Sequence, residues 1–408
     1  MIKRHTASPR QSLPLWKKIF FYTTLYVGFP IIVFSVMEIF VRITLPETDL
    51  LTLTGRALGA NPMREWAVTD AFCAYSPRPG QYKKKKYNKT VNSCNFISTP
   101  EINVKKNADT IRIVFMGGSS TAGTGVHIAD EDTWPWQTIS MLKEKYKQKN
   151  IEFINAAAGG YMSFMSYGRL WSRIRFFSPD IVIIYQGWND MYYFNEIDTM
   201  HKLLTLPDGS WSFDSLPAPV PFYKPLLIDY VLFPSQLLSR LRLKLTKPIS
   251  GEAPQDVSLT PLKDSYDQRG MDIWRTNLRL FRETAKVLGV KLFVAKQASL
   301  IAPGLPAEYI DRCTFKYHGF DFAAHIDAYK NMYKVIDDEF TPNEIIDTTL
   351  ISGKPEYFYD AVHPTELGCQ KLAEIVSSSL LAYLTQTTDE QNIQLIRQVG
   401  SGQANTLK

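Results

Sequence analysis

The chain has 408 residues, 45% of them hydrophobic and 21% charged, enough to bury a sizeable core in one large domain or two modest ones. Its formal charge of +6 gathers at the start, where Lys3, Arg4, Arg10, Lys17 and Lys18 precede any acidic residue. The remainder is close to neutral, which excludes a broad basic face and gives no reason to expect a nucleic-acid partner. The run Lys83 to Lys86 is local and reads as a solvated loop.

From Ile19 to Met37 the chain is uncharged and mostly apolar, and apolar character continues past Glu38 to Ile43. About twenty such residues span a bilayer as a helix. Gly28 and Pro30 are tolerated in such helices. A cleaved signal peptide would show a shorter apolar core and a small-residue cleavage site, and neither is evident. Residues 1–18 therefore read as a short basic cytoplasmic tail and 19–43 as one transmembrane helix. Basic residues stay inside, so everything beyond is expected outside the cytoplasm. Disulfides persist there. Cys73 and Cys94 flank a loop that a bridge could close, while Cys313 and Cys369 read equally well as buried thiols.

Residues 46–108 read as an irregular extracytoplasmic lead-in rich in Pro, Asn and Lys. A repeating pattern follows. Ile111 to Met116 is a buried strand that stops at Gly117 and Gly118, and Thr133 to Lys147 has helical periodicity. A second strand, Ile151 to Asn155, precedes a helix around Ser166 to Phe177. The third strand is Asp180 to Tyr185. After a long interruption come a helix over Gly270 to Leu288, a strand over Val290 to Lys296, a short strand at Ile345 and Ile346, and a closing helix from Thr365 to Leu384. No internal repeat is present. Strands alternating with helices predict an α/β fold with a parallel sheet covered on both faces. In such sheets ligands bind beyond the carboxyl ends of the strands. Residues 195–269 form an insertion rich in proline and aromatics, with helical signal near Leu237 to Leu245, and read as a lid or as surface elaboration. Residues 386–408 read as a polar C-terminal tail.

Chemistry-bearing residues sit at the strand ends. Gly117-Gly118-Ser119-Ser120 can turn sharply and present a hydroxyl, although glycine-rich turns also cradle phosphate. The lysine of a phosphate loop is missing. Asp360-Ala361-Val362-His363-Pro364 supplies a base for a serine and a carboxylate to orient that base, at a turn that Pro364 would sharpen. Gly187-Trp188-Asn189-Asp190 follows the third strand, and Asn189 can donate to an oxyanion or cap a helix. Ala158-Gly159-Gly160-Tyr161 offers a backbone N–H or a simple turn. Trp188, Tyr192, Tyr193 and Phe194 would line a sugar- or acyl-binding cleft, or pack as ordinary core.

In this order the four segments resemble the sequence blocks of the SGNH hydrolases, the GDSL-like esterase and lipase superfamily, over residues 111 to 385. The resemblance matches Ser119 to the nucleophile, Gly160 and Asn189 to oxyanion donors beside the Ser119 N–H, and Asp360 and His363 to the final dyad. It departs at Gly118, where the family often has Asp; the triad is left whole because its carboxylate comes from Asp360. The resemblance implies a flavodoxin-like three-layer α/β/α sandwich over 109–385, no metal and no cofactor, and hydrolysis or transfer of acyl groups. Trp188 and Tyr192 are the expected substrate-binding residues. A membrane-held deacylase, such as an acetyl esterase on envelope or exported carbohydrate, is the leading expectation. An O-acyltransferase on polysaccharide, a lipid esterase or thioesterase, and a catalytically silent envelope binding protein are the alternatives.

Overall fold

A computed structural model describes residues 14–45, 67–84, 87–124, 128–195, 227–232, 234–245 and 261–404. These fall into two compact units, residues 1–64 with 220–251, and residues 65–219 with 252–408. Residues 196–226, 233 and 246–260 of the 195–269 insertion and much of the lead-in lie outside the described residues.

In the first unit a helix, α1, runs from Leu15 to Thr44 and is long and apolar enough to cross a membrane. Its turn Thr24–Gly28 is a π-helix just ahead of Pro30. Proline has no N–H to complete an ordinary helical bond, and a π-turn is one way for the ladder to absorb that loss. The same unit contains two helices from the insertion, α2 (Leu227–Leu232) and α3 (Gln236–Leu245).

The second unit is built on a five-stranded parallel sheet: β5 (Thr110–Gly117), β6 (Asn150–Asn155), β7 (Ile181–Gln186), β8 (Lys291–Lys296) and β9 (Ile345–Asp347). The spatial order is β6-β5-β7-β8-β9. This is a flavodoxin-like order, with its first strand inside the sheet and its reversal between β5 and β7. Every residue of β5 and β7 is buried, which explains their mostly apolar sequences; Arg112, the charged exception in β5, pairs with Glu152 at 2.7 Å. Register is set by pairs such as Phe115 with Asn155 and Phe115 with Ile183. Helices α4 (Trp134–Lys145), α5 (Ser163–Ser172), α6 (Gln268–Leu288), α7 (Phe322–Glu339) and α8 (Glu366–Ala404) cover the sheet. α4 packs on α8, while α5 and α7 pack on α6.

Four differences from the sequence expectation have physical causes. The lead-in contains two antiparallel hairpins, β1 (Ala67–Asp70) with β2 (Ala74–Pro77), and β3 (Gly80–Lys84) with β4 (Tyr87–Val91). Their polar composition hides strands whose partners lie only a few residues away. Lys83 and Lys84 belong to β3, so the lysine run ends a strand. Cys73 and Cys94 are unpaired: Cys73 is buried against the Tyr161 hydroxyl at 3.2 Å, while Cys94 lies near Ile102. α7 was not foreseen, although Asp321 caps it by accepting from the Ala324 N–H at 2.8 Å. α8 runs on to Ala404 through residues expected to form a tail: residues 386–399 contain no proline or glycine to stop it, and the helix continues past Gly400 and Gly402.

Candidate active site

The carboxyl ends of β5 and β7 flank the reversal point of the sheet, and the site is assembled there. After β5, Gly118 is the cap of a single helical turn, Ser119–Ala122. A side chain at Gly118 would have to displace Asn189, because an added Cβ would lie 2.6 Å from Asn189 Nδ2. The residue that departs from the familiar block is thus what lets the β7 turn approach the serine.

Ser119 Oγ lies 2.7 Å from His363 Nε2, and His363 Nδ1 lies 2.7 Å from Asp360 Oδ2. Asp360 Oδ1 accepts from the backbone N–H groups of Val362 and His363, each at 2.9 Å. These bonds fix the carboxylate within its own turn and leave Oδ2 for the ring. Although burial opposes it, hydrogen bonding and the charge of His363 hold the Asp360 carboxyl below its usual range. The neighbouring Ser120 is buried and donates to the Val362 carbonyl at 3.1 Å. Adjacent serines are thereby separated, one facing the histidine and the other tying the β5 turn to the histidine loop.

After β7, Asn189 Nδ2 donates to the Tyr161 carbonyl at 2.8 Å. A primary amide carries two N–H groups, so this bond orients Asn189 and leaves one donor. Gly160 has φ +80°, a conformation that favours glycine, in the turn just before Tyr161. Among the described residues neither the Ser119 nor the Gly160 N–H is taken by another backbone group. The recess is lined by Gly118, Ser119, Tyr161, Trp188, Asn189 and Gln297, together with Ser120, Gln186 and Gly187, and encloses about 200 Å³ including its mouth. Gly160 and Tyr192 are not part of that lining.

Trp188 lines the recess and is itself held from behind. Its backbone N–H donates to Gln297 Oε1 at 2.6 Å, and its ring centroid lies 4.2 Å from that of His318. His318 Nδ1 and His325 Nε2 are 2.9 Å apart, and His325 Nδ1 meets the Asp321 carbonyl at 2.8 Å. Burial and the neighbouring His325 keep His318 well below the usual histidine range, so a neutral pair supports the β7 turn. Tyr192 sits 6.0 Å from the ring of Tyr317 in the same aromatic group. Asp190 is buried, and burial lifts its carboxyl to about 7 against the Ser163 N–H and hydroxyl that it accepts.

The lead-in strands brace both glycine turns. Tyr75 donates to the Gly159 carbonyl, and Tyr161 donates to the Tyr75 carbonyl. Lys89, lowered to about 8 by burial, donates to Ser98 Oγ and the Ala129 carbonyl, each at 3.1 Å. Its Nζ lies 2.8 Å from where a Cβ on Gly123 would stand, directly after the Ser119 turn. Gln297, His318, His325 and the lead-in contacts escaped sequence reasoning, because each acts through a neighbour distant in the chain. Among the described residues no three His, Cys, Asp or Glu side chains converge as a metal would require.

A flavodoxin-like sheet with a serine, histidine and aspartate in hydrogen-bonded sequence at its reversal point defines the class, a serine hydrolase that cleaves esters. The chain belongs to the GDSL-like Lipase/Acylhydrolase family, whose model matches residues 113–376. No curated protein matches it. Among solved structures it resembles an acetyl xylan esterase, at 15% identity and TM-score 0.37, covering 66% of this chain and 99% of that one. A putative acylhydrolase from Bacteroides fragilis is similar at 16% identity and TM-score 0.34, over 69% and 89% of the two chains. An acetylxylan esterase from Geobacillus stearothermophilus is similar at 14% identity and TM-score 0.36, over 66% and 93%.

Proposed function

We propose that Ser119 is the nucleophile, His363 its base and Asp360 the residue that orients the base, in a deacylase of acylated carbohydrate held at a membrane by α1. The observation that carries the catalytic assignment is the unbroken line Ser119 Oγ, His363 Nε2, His363 Nδ1, Asp360 Oδ2, with both contacts at 2.7 Å. Ser119 Oγ attacks the ester carbonyl as its proton passes to His363 Nε2. Asp360 stabilises the resulting imidazolium. The N–H groups of Ser119 and Gly160 and the remaining Asn189 N–H receive the oxyanion. The protonated histidine then gives its proton to the leaving alkoxide, and water repeats the sequence in reverse to free the acid.

A small recess lined largely by glycine and polar side chains favours a short acyl group such as acetyl over a long chain. The acetyl xylan esterases among the similar structures act on acetylated carbohydrate by name, and the carbohydrate reading follows them by analogy. The basic N-terminal flank favours an extracytoplasmic domain. A serine-directed phosphonate given to the full-length chain is expected to modify Ser119, read by peptide mass spectrometry. Turnover should fall steeply from acetyl to octanoyl esters, and acetylated oligosaccharide should be hydrolysed. An adduct on Ser120 from an active sample would overturn the nucleophile, and preference for octanoyl esters would overturn the substrate class.

A further inference from the structure

The insertion returns to the N-terminal helix at one defined level. Glu38 follows the uncharged stretch Ile19 to Met37 and is the first acidic residue of the chain. At 1.5 Å per residue that stretch is about 28 Å long, close to the roughly 30 Å of a bilayer's hydrocarbon core. If α1 spans a bilayer, Glu38 and Arg42 fall where acyl chains give way to headgroups. Both are engaged there. Glu38 Oε1 accepts from Arg42 Nε at 2.7 Å and from the Gln236 N–H at 2.9 Å. Its Oε2 accepts from the Leu237 N–H and from Ser235 Oγ, each at 2.8 Å. Arg42 Nη2 donates to the Pro234 carbonyl at 2.6 Å. The carboxylate caps the start of α3, where unsatisfied N–H groups and the helix dipole favour an anion.

This contact limits where the two insertion helices can be. With 6 and 10 residues, α2 and α3 extend about 9 and 15 Å from a segment fixed at Glu38. Both expose apolar side chains at that level: Leu227 is 82% exposed, Val231 65% and Leu241 48%. Leu227 and Val231 are one turn apart and share a face. The α3 sequence carries Arg240, Arg242 and Lys244 and no acidic residue. Exposed aliphatic residues on two short helices, the longer of them basic in sequence, fastened at the edge of an apolar span, suit a surface-lying membrane element.

We propose that α2 and α3 lie in the outer surface of the bilayer, with Leu227, Val231 and Leu241 among the acyl chains and Glu38 holding them there. The proposal rests on α1 being a membrane span, and it gives the insertion its own contact with anionic lipid. The test places nitroxide probes at Val231→Cys, Leu241→Cys and, within α1, Val33→Cys. Cys94, the one native cysteine that is not buried, is replaced by serine. The full-length chain is reconstituted into vesicles of phosphatidylcholine and phosphatidylglycerol, and collisions with oxygen and a water-soluble nickel chelate are compared. All three sites should favour oxygen severalfold, Val33 most strongly. Adding Glu38→Ala should turn Val231 and Leu241 towards nickel and leave Val33 unchanged. Nickel-accessible Val231 and Leu241 beside an oxygen-favouring Val33 would overturn the proposal and leave the span intact. A nickel-accessible Val33 would overturn the span and the proposal together. Insertion probes unmoved by Glu38→Ala would overturn the role given to the carboxylate.

Discussion

In the proposed mechanism Asn189 has two roles for one amide. One N–H is fixed on the Tyr161 carbonyl, and the other is the proposed donor to charge that develops only in the transition state. Asn189→Ala is expected to lower kcat by about a hundred- to thousandfold, with KM nearly unchanged. The lost Tyr161 bond should cost about 1 kcal/mol of stability. A residue serving only as a cap would show the stability loss alone, so kcat and chemical denaturation measured on one variant separate the two roles. Gly118→Ala probes the same atom from the other side. Its new Cβ, 2.6 Å from Asn189 Nδ2, must push the amide aside. Turnover should fall while Ser119 remains reactive to small phosphonates, because nothing between Ser119 and His363 is touched.

Among the elements, α6 and α7 are joined chiefly through one carboxylate, with Asp338 adding a longer contact to Arg275 at 3.3 Å. Glu339, near the end of α7 and largely buried, accepts from Arg275 Nη1, from Arg279 through Nε and Nη2, and from Arg282 Nη1, all of them on α6. Hydrogen bonds from these arginines hold its carboxyl at about 2, below the ordinary 4.5. A carboxyl depressed in the folded state stabilises the fold above its unfolded value. That contribution is lost as pH falls from about 4.5 towards 2. Glu339→Gln should therefore lower Tm at pH 7, by an amount reflecting about 1–3 kcal/mol. The difference from the parent should shrink at pH 3, which thermal melts across that range would reveal. This junction also shows where sequence reading stopped. The strands β5 and β7 were legible because both faces are buried, with Arg112 the one charged residue within them and itself paired with Glu152. α7 carries its apolar residues Ala324, Ala328, Met332, Val335 and Ile336 at helical spacing, yet polar residues between them broke the visible run. β3 and β4 were hidden by lysine and asparagine. Ser119, Asp360 and His363 were legible as short motifs. His318 and Gln297 were not, since they are brought to the site by contacts with Trp188, distant in the chain.

At the scale of the whole molecule, the first strand of the sheet holds the serine and the turn before the last helix holds the histidine. They are 244 residues apart in the chain and 2.7 Å apart in the fold. The chain is made from its N-terminus, so a ribosome completes α1 and the serine turn long before it reaches the base. On the proposed assignment Ser119 is until then an ordinary alcohol, with neither a proton acceptor nor the α8 packing that seats the acceptor's turn. Chains stalled in translation before residue 360 should stay unlabelled by a serine-directed phosphonate, and released full-length chains should label within minutes. Labelling of stalled chains would show that Ser119 is activated by some other group. On the proposed assignment the topology acts as a timer: the serine meets its base only when the last helix has closed.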